Sequence, residues 1–157
     1  EEAQTMSVDK AYNYRPVDER LATAGRVEPP QLAQLGGEGF EVVISLLPES
    51  SEYAVAGERQ AVEAQGIEYH YLPVDFGAPT LEDYGQFRQL MQRAGERKLL
   101  IHCAANYRVS AFYSRYAIDT GRWSQAQADE FMSSVWQPDE HPPWPRWLEQ
   151  VKLAYFP

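Results

Sequence analysis

The stretch Lys98-Leu99-Leu100-Ile101-His102-Cys103-Ala104-Ala105-Asn106-Tyr107-Arg108-Val109-Ser110 reads as a buried strand running through a short turn into a helix. Leu99 to Ile101 are apolar without alternation, as in a strand covered on both faces. Beyond the turn, Phe112 and Tyr116 continue an apolar face at helical spacing. Cys103 thus stands at the carboxyl end of a strand, where the N–H groups of a helix start converge. Such a turn binds anions and stabilises a thiolate, because a helix N-terminus carries partial positive charge. Arg108 adds a planar fork that can grip two oxygens of one phosphate or sulfate. Cysteine, amide nest and arginine together make a nucleophilic phosphate site.

Working outward, strands alternate with helical patterns, which predicts an α/β sheet covered by helices. Arg20 to Ala24 reads as a first strand, and Pro29-Pro30 open a brief helix through Leu32 and Leu35 that Gly36-Gly37 and Gly39 end. The run Phe40 to Leu47 is a second buried strand, stopped by Pro48. Ser51 is placed to cap a helix carrying Val55 and Val62, closed by Gly66. A third strand, Ile67 to Val74, leads into Asp75-Phe76-Gly77. Thr80 and Asp83 form a capping-box start, followed by Leu81, Tyr84, Phe87, Leu90, Met91 and Ala94 at amphipathic spacing up to Gly95. Two further helices are expected over Ser124 to Trp136 and Pro143 to Tyr155. The second sets Trp144, Trp147, Leu148 and Val151 on one face as core.

A chain of 157 residues suits one domain over 1–157. Residues 1–10 read as a flexible start and 122–157 as a C-terminal helical segment. With 14 Lys+Arg against 23 Asp+Glu, the net charge of −9 argues against wrapping nucleic acid or binding an anionic membrane surface. Any phosphate must be bound locally, against the global field. No apolar run approaches the roughly 18 residues of a membrane helix, so no membrane insertion is expected. The single cysteine excludes an intramolecular disulfide, and His70, His102 and His141 lack metal-ligand spacing. No metal is therefore expected, and no organic cofactor is expected either. The chain begins Glu1-Glu2-Ala3-Gln4, without an initiator methionine. Removal of an N-terminal signal would leave such a start in a periplasmic or exported protein; an arbitrary boundary in a cytoplasmic one would leave it too.

At Ile101 to Ser110 the sequence resembles the cysteine-dependent phosphatase superfamily of protein tyrosine and dual-specificity phosphatases. It is most similar to a bacterial branch, the phosphatase-like domains associated with beta-lactamase-hydrolase-like proteins. The resemblance runs from about Leu21 to Tyr116 and takes in the Gly39 to Leu47 strand and Tyr71-Leu72-Pro73-Val74-Asp75. It implies a dual-specificity-phosphatase-like three-layer domain with a central, mostly parallel sheet flanked by helices. It also implies hydrolysis of a phosphate monoester, on a protein or a small molecule, through a cysteinyl-phosphate. The family pattern is His-Cys, five variable residues, Arg, then Ser or Thr. His102 and Cys103 match it, Ser110 stands at the hydroxyl position, and Asn106 falls where Gly is usual. Arg108 lies five residues after Cys103 rather than six, with Val109 in the usual place, a shorter spacing that members of the bacterial branch share.

The roles that follow from the resemblance are Cys103 as nucleophile, Arg108 as phosphate ligand, Asp75 as general acid and Ser110 as thiolate partner. The N–H groups from Ala104 through Ala105, Asn106, Tyr107, Arg108 and Val109 to Ser110 form the cradle, with His102 as structural support. Each residue also has a plainer reading. Cys103 could be core filler, Arg108 a partner of surface carboxylates, Asp75 a turn residue, and Ser110 a helix cap. Asp83 is the second choice for the acid. Two rival functions remain open at this stage. One is a rhodanese-like sulfurtransferase, whose loop is one residue shorter than a phosphatase's. The other is a catalytically weak domain that binds a phosphorylated or sulfated ligand. Asp75 favours the phosphatase, because it follows the third strand as Cys103 follows the fourth, and both then open onto one carboxyl edge.

Overall fold

A computed structural model of the protein describes residues 7–157. The strands are β1 (Arg15–Pro16), β2 (Leu21–Ala24), β3 (Val42–Ser45), β4 (Glu68–Tyr71) and β5 (Leu99–His102). They form one sheet in the order β1-β2-β5-β3-β4. β1 is antiparallel to β2 and every other pairing is parallel. The helices are α1 (Pro29–Leu32), α2 (Glu58–Glu63), α3 (Leu81–Ala94), α4 (Tyr107–Asp119), α5 (Gln125–Ser133) and α6 (Pro143–Tyr155).

Alternation along the strands divides the core into two layers. Val42, Ile44, Leu99 and Ile101 face a cluster built with α3, α4 and α6, including Phe87, Phe112, Trp144 and Trp147. Val43 and Leu100 face the opposite cluster with Val8, Leu32, Leu35 and Val62. Covered on both sides, β3 and β5 are buried at every position, which is why they read as unbroken apolar runs. The domain is thus a three-layer α/β sandwich.

Strand register brings the loops of interest to one edge. Ala24 and Ser45 both pair with His102, and Tyr71 pairs with Ser45. The segments that follow β2, β3, β4 and β5 therefore leave the sheet at one level, and Cys103 and Asp75 share that edge.

Several expectations change. Residues 1–6 of the expected flexible start lie outside the described residues, but Val8–Lys10 form a 3-10 turn with Val8 buried in the core. β1 was not legible, being two residues long and containing Pro16. The third strand ends at Tyr71 rather than Val74, although Leu72 and Val74 still donate to the carbonyls of Ser45 and Leu46. Ser51 caps no helix: its hydroxyl accepts from the N–H of Tyr53, closing a local turn. α2 begins only at Glu58, behind Gly57 in the left-handed conformation. The Thr80–Asp83 capping box is present in both directions. α5 stops at Ser133, so Trp136 lies beyond it.

Candidate active site

Four residues, Cys103 to Asn106, join β5 to α4. Asn106 is the N-cap of α4 with φ of 67°, a left-handed conformation that Asn adopts more readily than most residues. This one reversal turns the chain from strand into helix and places Arg108 in the first turn.

The loop carbonyls are drawn outward. The Ala104 carbonyl accepts from the N–H of Arg26 at 2.8 Å, and the Ala105 carbonyl from Nδ2 of Asn13 at 2.9 Å. Asn106 Nδ2 in turn donates to the Asn13 carbonyl and to Thr23 Oγ1. With the carbonyls committed, the peptide planes turn their N–H groups the other way. Among the described residues, the N–H groups of Ala104, Ala105, Asn106, Tyr107, Arg108 and Val109 have no acceptor. The N–H of Ser110 does not join them, because it donates to the Asn106 carbonyl at 2.9 Å. Six consecutive free donors at a helix start can hold an anion.

Gly25 makes this packing possible. A Cβ there would lie 2.7 Å from the Ala104 carbonyl oxygen and 2.8 Å from that of Tyr12. Sequence reasoning missed Asn13, Thr23, Gly25 and Arg26 as supports of the loop. They belong to the first strand region, about 80 to 90 residues from the cysteine, and no local pattern links the two.

Cys103 is fully buried and its N–H donates to the Ala24 carbonyl. The Arg108 side chain is 9% exposed, so it is not the solvated surface cation of the plainer reading. Its Nη1 donates to the Val74 carbonyl at 3.0 Å, and the guanidinium carbon lies 5.6 Å from the Phe76 ring centre. Among the described residues its Nε is buried without a partner, a donor still available to an anion. The Val109 side chain is core, leaving only its N–H for the loop.

Ser110 departs from its expected role. Its hydroxyl donates to the Tyr107 carbonyl and accepts from Nε1 of Trp136, each at 3.1 Å. The hydroxyl bonds i→i−3 within the helix's first turn, and it makes no hydrogen bond to the Cys103 thiol among the described residues. Asp75 is exposed. One carboxylate oxygen accepts from the N–H of Gly77 at 2.9 Å; the other makes no hydrogen bond among the described residues. Asp83 is occupied by its capping box.

His102 is buried, with Nε2 2.5 Å from Glu58 Oε2 and Nδ1 3.4 Å from the Cys103 carbonyl oxygen. Glu58 also accepts from Tyr69. Burial alone would push the Glu58 carboxyl up; the adjacent His102 and these hydrogen bonds outweigh it and hold it below its ordinary value. Glu58 was not singled out from sequence, since one Glu opening a helix carries no sign of its distant partner. Tyr107 stacks on Trp136, with ring centres 4.7 Å apart and planes 7° apart. A cleft of about 470 Å³ opens beside the loop, lined by Tyr12, Arg26, Glu28, Tyr53, Ala104 and Ala105. No group of three His, Cys, Asp or Glu capable of holding a metal occurs among the described residues, and none of their helices is long and apolar enough to cross a membrane.

A mostly parallel sheet ending in a His-Cys turn, a row of free loop amides and a buried arginine fit a cysteine-phosphatase-like domain. Solved structures of that class share the fold. P. aeruginosa TpbA superposes with a TM-score of 0.72 at 18% identity, over 95% of this chain and 94% of that one. A TpbA variant in complex with phosphotyrosine gives 0.69 at 17%, over 91% and 90%. The chain belongs to the family described as beta-lactamase hydrolase-like protein, phosphatase-like domain, whose model matches residues 13–119. A DUF442 protein from Shewanella putrefaciens CN-32 is 30% identical over 98% of this chain and 99% of that one, with a TM-score of 0.86. The beta-lactamase hydrolase-like protein of Agrobacterium fabrum is 28% identical over 118 residues, 73% of this chain. That match spans only 27% of the relative's length.

Proposed function

We propose that this domain hydrolyses phosphate monoesters through a cysteinyl-phosphate on Cys103. The observation that carries the reading is the row of six unpaired N–H groups from Ala104 to Val109, with the unpartnered Nε of Arg108. A phosphoryl group in transfer spreads negative charge over three equatorial oxygens, and preorganised donors stabilise that charge without reorganising. The Cys103 thiolate attacks phosphorus and the P–O bond to the leaving group breaks. Asp75 protonates the departing oxygen, then accepts a proton from the water that attacks the cysteinyl-phosphate. That water releases inorganic phosphate and restores the thiolate. His102, paired with Glu58, holds the strand end from which the loop departs.

The substrate class is a phosphorylated protein side chain or small molecule, with its leaving group lying over the cleft beside Ala104 and Ala105. The phosphotyrosine held by the TpbA variant is consistent with this class.

The test is chemical trapping. Brief reaction with ³²P-labelled aryl phosphate, quenched in acid, is expected to leave label on Cys103 and none on Cys103→Ser. Alkylation of Cys103 by iodoacetate is expected to proceed at mildly acidic pH and to be slowed by phosphate or vanadate. A persulfide formed from thiosulfate, with cyanide consumed and no phosphoenzyme, would make the protein a sulfurtransferase instead. Anion protection with neither intermediate would make it a binding domain.

A further inference from the structure

We propose that the C-terminal segment beyond residue 122 is a positioning clamp that holds the Asp75 loop in a fixed geometry. The inference rests on the assignment of Asp75 as general acid and extends it to residues outside the family match. The connection from β4 to α3 spans residues 72–80, and a free loop of that length would sample many conformations. Here the residues on both sides of Asp75 are fixed. The Val74 carbonyl accepts from Arg108 Nη1 at 3.0 Å, and its N–H donates to the Leu46 carbonyl at 3.1 Å. The Phe76 carbonyl accepts from the indole N–H of Trp144 at 2.9 Å. Further on, the Thr80 carbonyl accepts from the indole of Trp147 at 2.8 Å.

The Phe76 ring is enclosed as well. Its centre lies 5.2 Å from His141, 5.6 Å from Trp136, 5.6 Å from Trp144 and 6.2 Å from Tyr107. Trp136, His141 and Trp144 all come from the C-terminal segment, whereas Tyr107 belongs to the loop-to-helix turn. The clamp therefore ties the acid loop and the cradle to one aromatic cluster. Arg108 completes the tie, with its Nη1 bond on the acid loop and its Nε still free. Buried indole N–H groups need acceptors, and two of the three buried tryptophans, Trp144 and Trp147, spend theirs on carbonyls of this one loop. As core alone the two indoles would still need acceptors, but nothing would require both to find them on the loop that carries Asp75.

Trp144→Phe keeps an aromatic ring and removes the N–H, leaving the Phe76 carbonyl unpaired. Two measurements read the consequence. The amides of Gly77 and Ala78, which donate to Asp75, are expected to exchange hydrogen at least tenfold faster in the variant than in the wild type. Turnover of an alkyl phosphate, which needs a proton on its leaving oxygen, is expected to fall about tenfold. Turnover of nitrophenyl phosphate should change less than threefold, and vanadate protection of Cys103 should be unchanged. Phe76→Leu, at a half-buried position, is expected to give the same pattern and serves if Trp144→Phe does not fold.

Unchanged amide exchange would overturn the clamp whatever the activity. An equal loss on both substrates, or lost vanadate protection, would overturn it too, because the segment would then be supporting the whole domain. If the wild type turned over neither phosphate, the phosphatase reading would fall, and amide exchange alone would decide the clamp.

Discussion

Asn13 and Asn106 hold each other across the edge of the sheet. Asn13 Nδ2 donates to the carbonyl of Ala105, the residue before Asn106, and Asn106 Nδ2 donates back to the Asn13 carbonyl at 2.9 Å. Both residues have positive φ, 51° and 67°, so each supplies an unusual backbone turn and the side chain that ties it to the other. Asn106 also reaches Thr23 Oγ1, whose own proton is on the Arg15 carbonyl. The short β1–β2 ribbon thus fixes the direction of the cradle's peptide planes.

Removing the first of these side chains is expected to loosen the cradle. Asn13→Gly keeps the backbone freedom that φ of 51° requires but leaves the Ala105 carbonyl without its donor. A lost hydrogen bond of this kind is worth about 1 kcal/mol, so vanadate should protect Cys103 about fivefold less well. Alkylation rates against vanadate concentration measure it; an unchanged protection constant would mean the loop holds its shape without Asn13.

Arg108 offers the sharpest test of the phosphoryl-transfer reading. Lysine keeps the charge but loses the fork that bonds Val74 and the anion together. Arg108→Lys is therefore expected to lower kcat for aryl phosphate by roughly 10²-fold, the scale of one preorganised contact to a developing oxyanion. Steady-state kinetics with single-turnover trapping measures the loss. A change confined to KM would assign the arginine to ground-state binding.

The Glu58–His102 pair sets part of the acid stability. Because the Glu58 carboxyl is held below its ordinary value of 4.5, its contribution is present above that value. It is lost as pH falls through the lowered, folded-state value. Glu58→Gln is expected to destabilise the protein at pH 7 by about 3 kcal/mol, the scale of breaking one side of a buried pair. Its stability should then fall less steeply on acidification than the wild type's. Urea titrations between pH 3 and 7 give both slopes, and parallel slopes would count against the pair.

Glu68 makes a second, independent acid-sensitive contribution on the edge strand. Hydrogen bonds from Arg97, then His70 and Arg93, hold its carboxyl down to about 2. The stabilisation is complete above 4.5 and is lost as pH drops toward 2. Glu68→Gln is expected to lower Tm at pH 7 while converging with the wild type near the acid end. Thermal scans in low and high salt provide the check, since salt should shrink the difference for so accessible a cluster.

The sequence alone determined the layer order and the chemistry-bearing turn. The nearly continuous apolar runs at Phe40 to Leu47 and Leu99 to Ile101, short and rich in branched side chains, read as strands covered on both faces. Thr80 and Asp83 mark a helix start through bonds three residues apart, and Cys103 followed by Arg108 places a thiol and a cation on one strand-to-helix turn. These are local facts, carried by periodicity and by short-range hydrogen bonding. Tertiary structure decided the rest. Which hydroxyl meets which donor was settled by Trp136, 26 residues away, which takes Ser110 as its acceptor. The direction of the cradle's N–H groups was settled by Asn13 and Arg26, because a peptide plane is oriented by whatever binds its carbonyl. Trp144 and Trp147 read correctly as core, but only the fold could bring their indole N–H groups to the carbonyls of the Asp75 loop. Such bonds join residues about 70 apart, and no spacing along the chain records a contact that exists only once the layers have packed.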